Sequence, residues 1–508
     1  MVYVSGEEEV WAWPVLGCQF SVVDLSWVTE LPDVCLSHVF RQLSLCERRI
    51  VERVCARWRD LVSYDDVTSL DINQFKWKQS DCVHQIQYAN GELGWSQRAL
   101  KKDWLLFALS FWHRRIRSRL RSLSLVSESF ACHLDRAIMT QIYTWWPYLE
   151  YLNLSGAVIT EDALEPLSRF LALKSAVLAM MVVVSSDESR LAENGRVRMA
   201  LEKCFGAWNQ LRHLSLTRMP QCPQIRQSNL LDLSLDGIPV DDSRLWDIVA
   251  HCPNLLRFSC IDCQATDLSP LAGLSNLISL TLTASRLSTT ALERICESCS
   301  KLQALHIDHV RPQIDRFACI GRHLSRLEVL SLGPSRFFSD TDLIRIARHS
   351  TPGLAWISLN ECQAVTDIGI KELAQRNSNL EWVKVVGASG VTSDGVLTLL
   401  SACPNLQHLN VSSCGNVEDR ILEGVGLLGV NLRELGVADC PRLTEEGFRR
   451  LYHRRKQRHI TQDDPLKSLN VVFGGTGVPL VSLNTMTLLR QLDVHIQEFR
   501  VPLLALAY

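Results

Sequence analysis

Leu354-Ala-Trp-Ile357-Ser-Leu359 is followed by Leu380-Glu-Trp-Val383-Lys-Val385, Leu406-Gln-His-Leu409-Asn-Val411 and Leu432-Arg-Glu-Leu435-Gly-Val437, with the central aliphatics at 357, 383, 409 and 435, a period of 26. In each copy the alternation sends residues such as Leu409 and Val411 to one face of a short strand and His408 and Asn410 to the other. One face is core and one is free. A turn position three residues on holds Cys362, Cys414 and Cys440. Helix-starting chemistry follows at Thr366-Asp367, Thr392-Ser393-Asp394 and Thr444-Glu445-Glu446, and Val396, Leu399, Leu400 and Cys403 then recur at helical spacing. Each unit therefore reads as strand, turn and helix. A single unit cannot bury its own apolar face, so the copies must stack, with parallel strands on a concave side and helices on a convex side.

Such a period defines a leucine-rich repeat. The expected fold class is α/β, a leucine-rich-repeat solenoid over 120–495, with leading leucines at Leu120, Leu149, Leu173, Leu211, Leu230, Leu255, Leu277, Leu302, Leu327, Leu354, Leu380, Leu406, Leu432, Leu466 and Leu489. The frames at Leu173 and Leu489 are weak. Leu173 to Leu211 and Leu432 to Leu466 are long intervals, and their surplus, around Asp187 to Gly195 and Gln462 to Pro465, reads as inserted surface loops. Leu171 to Val184 reads as a buried strand, because Lys174 interrupts it and it falls short of the roughly 20 residues that span a bilayer.

With 508 residues and 47% hydrophobic side chains the chain has material for a large core, and a net charge of −2 gives no general attraction to nucleic acid or anionic membrane. The acidic start, Glu7-Glu8-Glu9, has the wrong charge for a secretory signal, so the expected location is intracellular, cytoplasmic and/or nuclear. The 18 cysteines fall largely on repeat positions and read as structural thiols. Cys260-x-x-Cys263 and Cys296-x-x-Cys299 are 32 residues apart, against the ~15–20 usual for zinc. The repeat frame gives each pair a packing role, and no metal or cofactor is expected. The chain has no GxxxxGK[ST], HExxH, GxSxG or acidic calcium loop, and no catalytic residue is assigned.

The N-terminal text is different. Residues 1–27 carry Trp11, Trp13 and Trp27 without periodicity. Over 28–66, Leu36, Val39, Phe40 and Leu43 stand at i, i+3, i+4 and i+7, as do Val51, Val54, Cys55 and Trp58. These short amphipathic helices are too small to make a core of their own. They either cap the solenoid or dock on a partner. Leu31-Pro32, Leu36-x-x-Val39-Phe40-x-x-Leu43 and Val54-Cys55-x-x-Trp58 resemble an F-box, and with the repeats the whole chain resembles the F-box/leucine-rich-repeat family of the cysteine-containing subclass. The resemblance implies docking onto the adaptor subunit of an SCF-type cullin–RING ubiquitin ligase through Leu31, Pro32, Leu36, Val39, Phe40, Leu43, Val54, Cys55 and Trp58. Cys46-Glu47-Arg48-Arg49 departs from the family pattern, which carries an aspartate and a leucine there.

A helical connector over 67–119 is expected to turn Leu100, Trp104, Phe107 and Phe111 to one face. The basic runs Arg114 to Arg121 and Arg449 to Arg458 read as solvated helix ends, the latter suited to the macrodipole. The tail, 496–508, is expected to cover the last repeat. On the concave face the frame places Trp356, Trp382, Lys384, His408, Asn410 and His306, with the two indoles in one slot on adjacent strands, so these are the candidate substrate contacts. The expected function is a non-enzymatic substrate receptor, bridging the adaptor, and through it cullin, to a protein substrate. A repeat scaffold outside any ligase is the alternative.

Overall fold

The computed structural model describes residues 33–43, 48, 51–52, 61–64, 67–72, 82–86, 97–100, 102–126, 131–185, 193–219, 221–283, 285–309, 314, 316–350, 353–462, 468–474 and 483–498. One sheet of 16 strands carries the architecture. It runs in chain order from Ser69–Asp71 through Ser122–Ser124 to Val494–Glu498, every neighbour parallel to the last. Alternation fixes which residues go in. Leu330, Ile357, Val383, Leu409 and Leu435 stand in register on five successive strands, and none is more than 1% exposed. Each such burial contributes roughly 1.5–3 kcal/mol. Helices Asp340–His349, Asp367–Arg376 and Ser393–Ala402 pack against one another behind these strands.

The joints between repeats are polar. Asp340 accepts hydrogen bonds from the Thr366 backbone N–H (2.8 Å) and hydroxyl (2.6 Å) of the next repeat, and Asp367 holds Thr392 at the same two distances. Asp242 and Asp419 hold Thr266 and Thr444 likewise. The threonine hydroxyls in turn cap their own helices, Thr392 accepting from the Asp394 N–H. This ladder explains three glycines: a Cβ on Gly369, Gly395 or Gly447 would stand 2.4 Å from Oδ1 of Asp340, Asp367 or Asp419. We therefore expect Gly395→Ala to cost about 1–3 kcal/mol in urea unfolding. In an Asp367→Ala background the same change should cost far less, and equal costs in both backgrounds would refute the clash.

The thiols also close joints. Cys414 Sγ donates to the Val385 carbonyl (3.2 Å) and Cys440 Sγ to the Val411 carbonyl (3.3 Å), each reaching the preceding repeat. Burial pushes these thiols up to about 11 and about 12. Cys260 lies in a strand facing the core and Cys263 in the following turn, while Cys296 and Cys299 lie at a helix end, as the repeat frame expects.

Several expectations need correction. The sheet begins at Ser69–Asp71, inside the stretch read as connector, and the connector also holds an antiparallel pair, Cys82–Ile86 with Gln97–Leu100. Its helix, Lys102–Ile116, buries Leu105, Leu109, Trp112 and Ile116, whereas Phe107 is 60% exposed and Leu100 belongs to a strand. Both helix faces are apolar, so spacing alone selected the wrong one. Leu171 to Val184 is two strands, Ser175–Leu178 and Val182–Val184, with Leu171 exposed; the second joins a small sheet with His133–Leu134 and Val158–Thr160. The loops expected around Asp187 to Gly195 and Gln462 to Pro465 lie mostly outside the described residues, and the helices beside them are longer than the 10 residues of Asp340–His349. Asn194–Ala207 has 14 residues and Glu445–Gln462 has 18. Glu445–Arg449 and Glu446–Arg450 pairs one helical turn apart favour the latter's extension.

The basic runs are partly structural rather than solvated. Arg455 and Arg458 are 1% and 3% exposed, and Arg455 Nε donates to the Leu492 carbonyl, tying this helix to the start of the last strand. Arg115 lies 3.6 Å from the Phe111 ring centroid and pairs with Glu52. Pairing of Glu434 with Asn470 and of Asn470 with His495 puts Ser468 and Asp493 at the leading position of the last two repeats, in place of Leu466 and Leu489. Residues 496–498 of the tail extend the last strand, and 499–508 lie outside the described residues, as do 1–32.

Candidate functional site

Two surfaces carry the residues singled out in the sequence. In the first, helix Asp33–Gln42 turns Leu36 (1% exposed) and Phe40 (4%) into the chain itself. Two of the nine side chains expected to meet an adaptor are thus already enclosed, because i and i+4 share one helix face. Among the described side chains of this helix, Val39 is an apolar one that faces outward, at 50% exposure, with Leu43 half-buried. Leu31, Pro32, Val54, Cys55 and Trp58 lie outside the described residues.

Sequence reasoning missed Arg48. It sits in the charged stretch that departs from the family pattern, yet it is only 4% exposed. Its Nε donates to the Leu43 carbonyl (3.0 Å), one terminal nitrogen to the Ser63 carbonyl (2.9 Å) and the other to the Arg41 carbonyl. One guanidinium fork thus holds the end of the first helix to the chain leading into the solenoid. Next to it Glu52 pairs with Arg115 at 3.2 Å, joining this module to helix Lys102–Ile116. Burial, followed by the Glu52 carboxylate, raises Tyr64 well above the usual tyrosine range, so its hydroxyl stays protonated.

The second surface is the concave face. Trp356, Trp382, His408 and Glu434 stand in direct register on four successive strands. The indoles stack, with centroids 4.2 Å apart and planes 14° from parallel, and both are half-buried. His306 meets the Trp356 ring edge-on at 5.6 Å, and burial holds His306 below the usual histidine range, so it is neutral at pH 7. His408 Nδ1 lies 3.1 Å from Glu434. Ser358, Lys384 and Asn410 form the neighbouring row, again in register. All six residues chosen from the frame therefore share one face, five of them clustered on three adjacent strands and His306 reaching them through Trp356.

Further along the same face is a hollow of about 310 Å³. Ser175, Ser215, Ser234, Ser259 and Thr281 give it small hydroxyl-bearing walls, and Asp232 bridges His213 (3.0 Å) to Arg257 (2.7 Å to Nε) at its edge. The Asp232 hydrogen bond raises the Arg257 guanidinium further, keeping it charged. The run of Ser and Thr at outward strand positions was the available sequence signal. Depth needs coordinates.

The F-box domain family matches residues 28–70, and the Leucine Rich repeat family matches residues 402–426. Among solved structures the chain is similar to a yeast Rad7 and Elc1 complex, at 16% identity over 66% of this chain and 77% of that one, with a TM-score of 0.48. It is also similar to the internalin inlF of Listeria monocytogenes, at 16% identity over 66% of this chain and 78% of that one, TM-score 0.37.

Proposed function

We propose that this chain, which joins an F-box domain to leucine-rich repeats, is the substrate-recognition subunit of an SCF-type cullin–RING ubiquitin ligase. The observation that carries the reading is the union of two surfaces in one chain: a small helical module with Val39 outward, pinned by Arg48 and Glu52, and a solenoid with a stacked indole pair on its concave face. Half-buried stacked tryptophans on an outward strand face suit a protein partner, since large rigid rings bring apolar area at small entropic cost. The module binds the adaptor and, through it, cullin. The repeats bind the substrate, in cytoplasm or nucleus. The chain supplies no chemistry of its own. It raises the effective concentration of a substrate lysine near the charged ubiquitin-conjugating enzyme.

The test is a pull-down comparing wild type with Val39→Glu, probed for adaptor and cullin. Val39 is half exposed, so the fold should survive, and circular dichroism checks that. A carboxylate set against a desolvated interface costs about 2–5 kcal/mol, so both subunits should be lost from the variant. Equal capture by the two proteins, or by neither, would make the module a structural cap and the chain a scaffold.

A further inference from the structure

Asp236 organises the floor of the hydroxyl-lined hollow. Ser234 Oγ donates to one of its carboxylate oxygens (2.8 Å) and Ser259 Oγ to the other (3.0 Å). Each hydroxyl has a single proton and spends it on the carboxylate, so these two serines, in register on adjacent strands, present only lone pairs to the hollow. The rim has the opposite character. Arg257 spends Nε and one terminal nitrogen on Asp232, which matches its charge, and its other terminal nitrogen makes no hydrogen bond among the described residues. A partner group that fills this space must therefore donate at the floor and accept at the rim. A carboxylate has no proton for the serine oxygens, and an ammonium has no lone pair for Arg257 and meets its charge. A carboxamide has both, two N–H donors beside one carbonyl oxygen.

The hollow also opens along one row. Arg257, Ser279, Ala304, Val329 and Trp356 stand in register on five successive strands. The three side chains between the ends are short and uncharged, which leaves a path from the hollow to the indole pair. Four strand spacings come to about 19 Å, the reach of about six extended residues.

We infer that the hollow takes the side chain of an asparagine or glutamine in an extended segment of the protein partner, and that an apolar side chain about six residues away in that segment rests on Trp356 and Trp382. The amide N–H groups meet the Ser234 and Ser259 oxygens, and the amide carbonyl meets Arg257. The inference rests on reading the concave face as the partner surface.

The full chain, as wild type, Ser234→Ala/Ser259→Ala, Arg257→Met or Trp356→Ala, is applied to an immobilised positional-scanning library of N-acetylated nonapeptides. Wild type should select asparagine or glutamine at one position by about tenfold over leucine, glutamate and lysine, and an apolar residue about six positions away. The serine variant should lose the amide selection and keep the apolar one, which also shows that it is folded. Arg257→Met, at a side chain 54% exposed, should weaken the amide selection with the fold intact, and Trp356→Ala should lose the apolar selection. Selection of an acidic or basic residue in place of the amide, an amide selection unchanged in both the serine and the Arg257 variants, or selected positions that stand side by side would overturn the inference. Apolar selection without the amide overturns the hollow's assignment alone, whereas no capture by wild type overturns the concave-face reading as well.

Discussion

Arg48→Ala should destabilise the N-terminal module by about 3 kcal/mol or more, because it removes a buried charged fork and strips donors from three carbonyls at once. The loss should stay local. The solenoid core is held by its own stacked aliphatics and by the aspartate–threonine ladder, none of which touches Arg48. Hydrogen exchange should therefore rise for amides 33–43 and stay slow for the central strands. Arg48→Lys should recover only a minor part, since a single ammonium cannot reproduce the fork's geometry. Adaptor capture should fall in step with the exchange protection, although Arg48 need not touch the adaptor. Unchanged exchange over 33–43 in Arg48→Ala would contradict this account of the module.

Trp356→Ala combined with Trp382→Ala should reduce capture of the substrate about a hundredfold, the ~3 kcal/mol of a central aromatic hot spot. The rings stack at 4.2 Å, so each orients the other and either single change should produce most of the double effect. Stability should move less than binding, because both rings are only half-buried while the register-mates Ile357 and Val383 beneath them are fully enclosed. Binding can be read on the proteins captured from lysate by wild type, compared by quantitative mass spectrometry. Additive, mild effects of the single variants would show that the pair is packing and not a recognition surface.

The solenoid was legible wherever the 26-residue period was intact. Equal spacing of Trp356, Trp382 and His408 was enough to put them side by side, and the structure has them in register. Legibility failed where leucines did not mark the frame. Ser468 and Asp493 hold the leading positions of the last two repeats, so a search by leucine selected Leu466 and Leu489. The first strand has three residues and one aliphatic, Leu70, too little for a periodic signal. Helix Glu445–Gln462, rich in good helix formers, runs up to the start of the loop expected at Gln462 to Pro465, and no leucine period marks that length.

At the candidate sites residue type was legible and depth was not. It listed Leu36 and Phe40 with Val39, and only coordinates separate the enclosed pair from the outward valine. Arg48 looked like a surface charge because its partners, the carbonyls of Leu43, Arg41 and Ser63, carry no side-chain signature.

In the proposed function the two surfaces work on one substrate. The most direct measurement is proteome-wide protein half-life in cells lacking the endogenous chain and re-expressing wild type, Val39→Glu or the Trp356→Ala/Trp382→Ala pair. Proteins captured by the wild-type concave face should be short-lived with wild type and become long-lived with either variant. If captured proteins keep the same half-life in all three lines, with the variants folded and expressed, the chain assembles complexes and does not recruit substrates for ubiquitination.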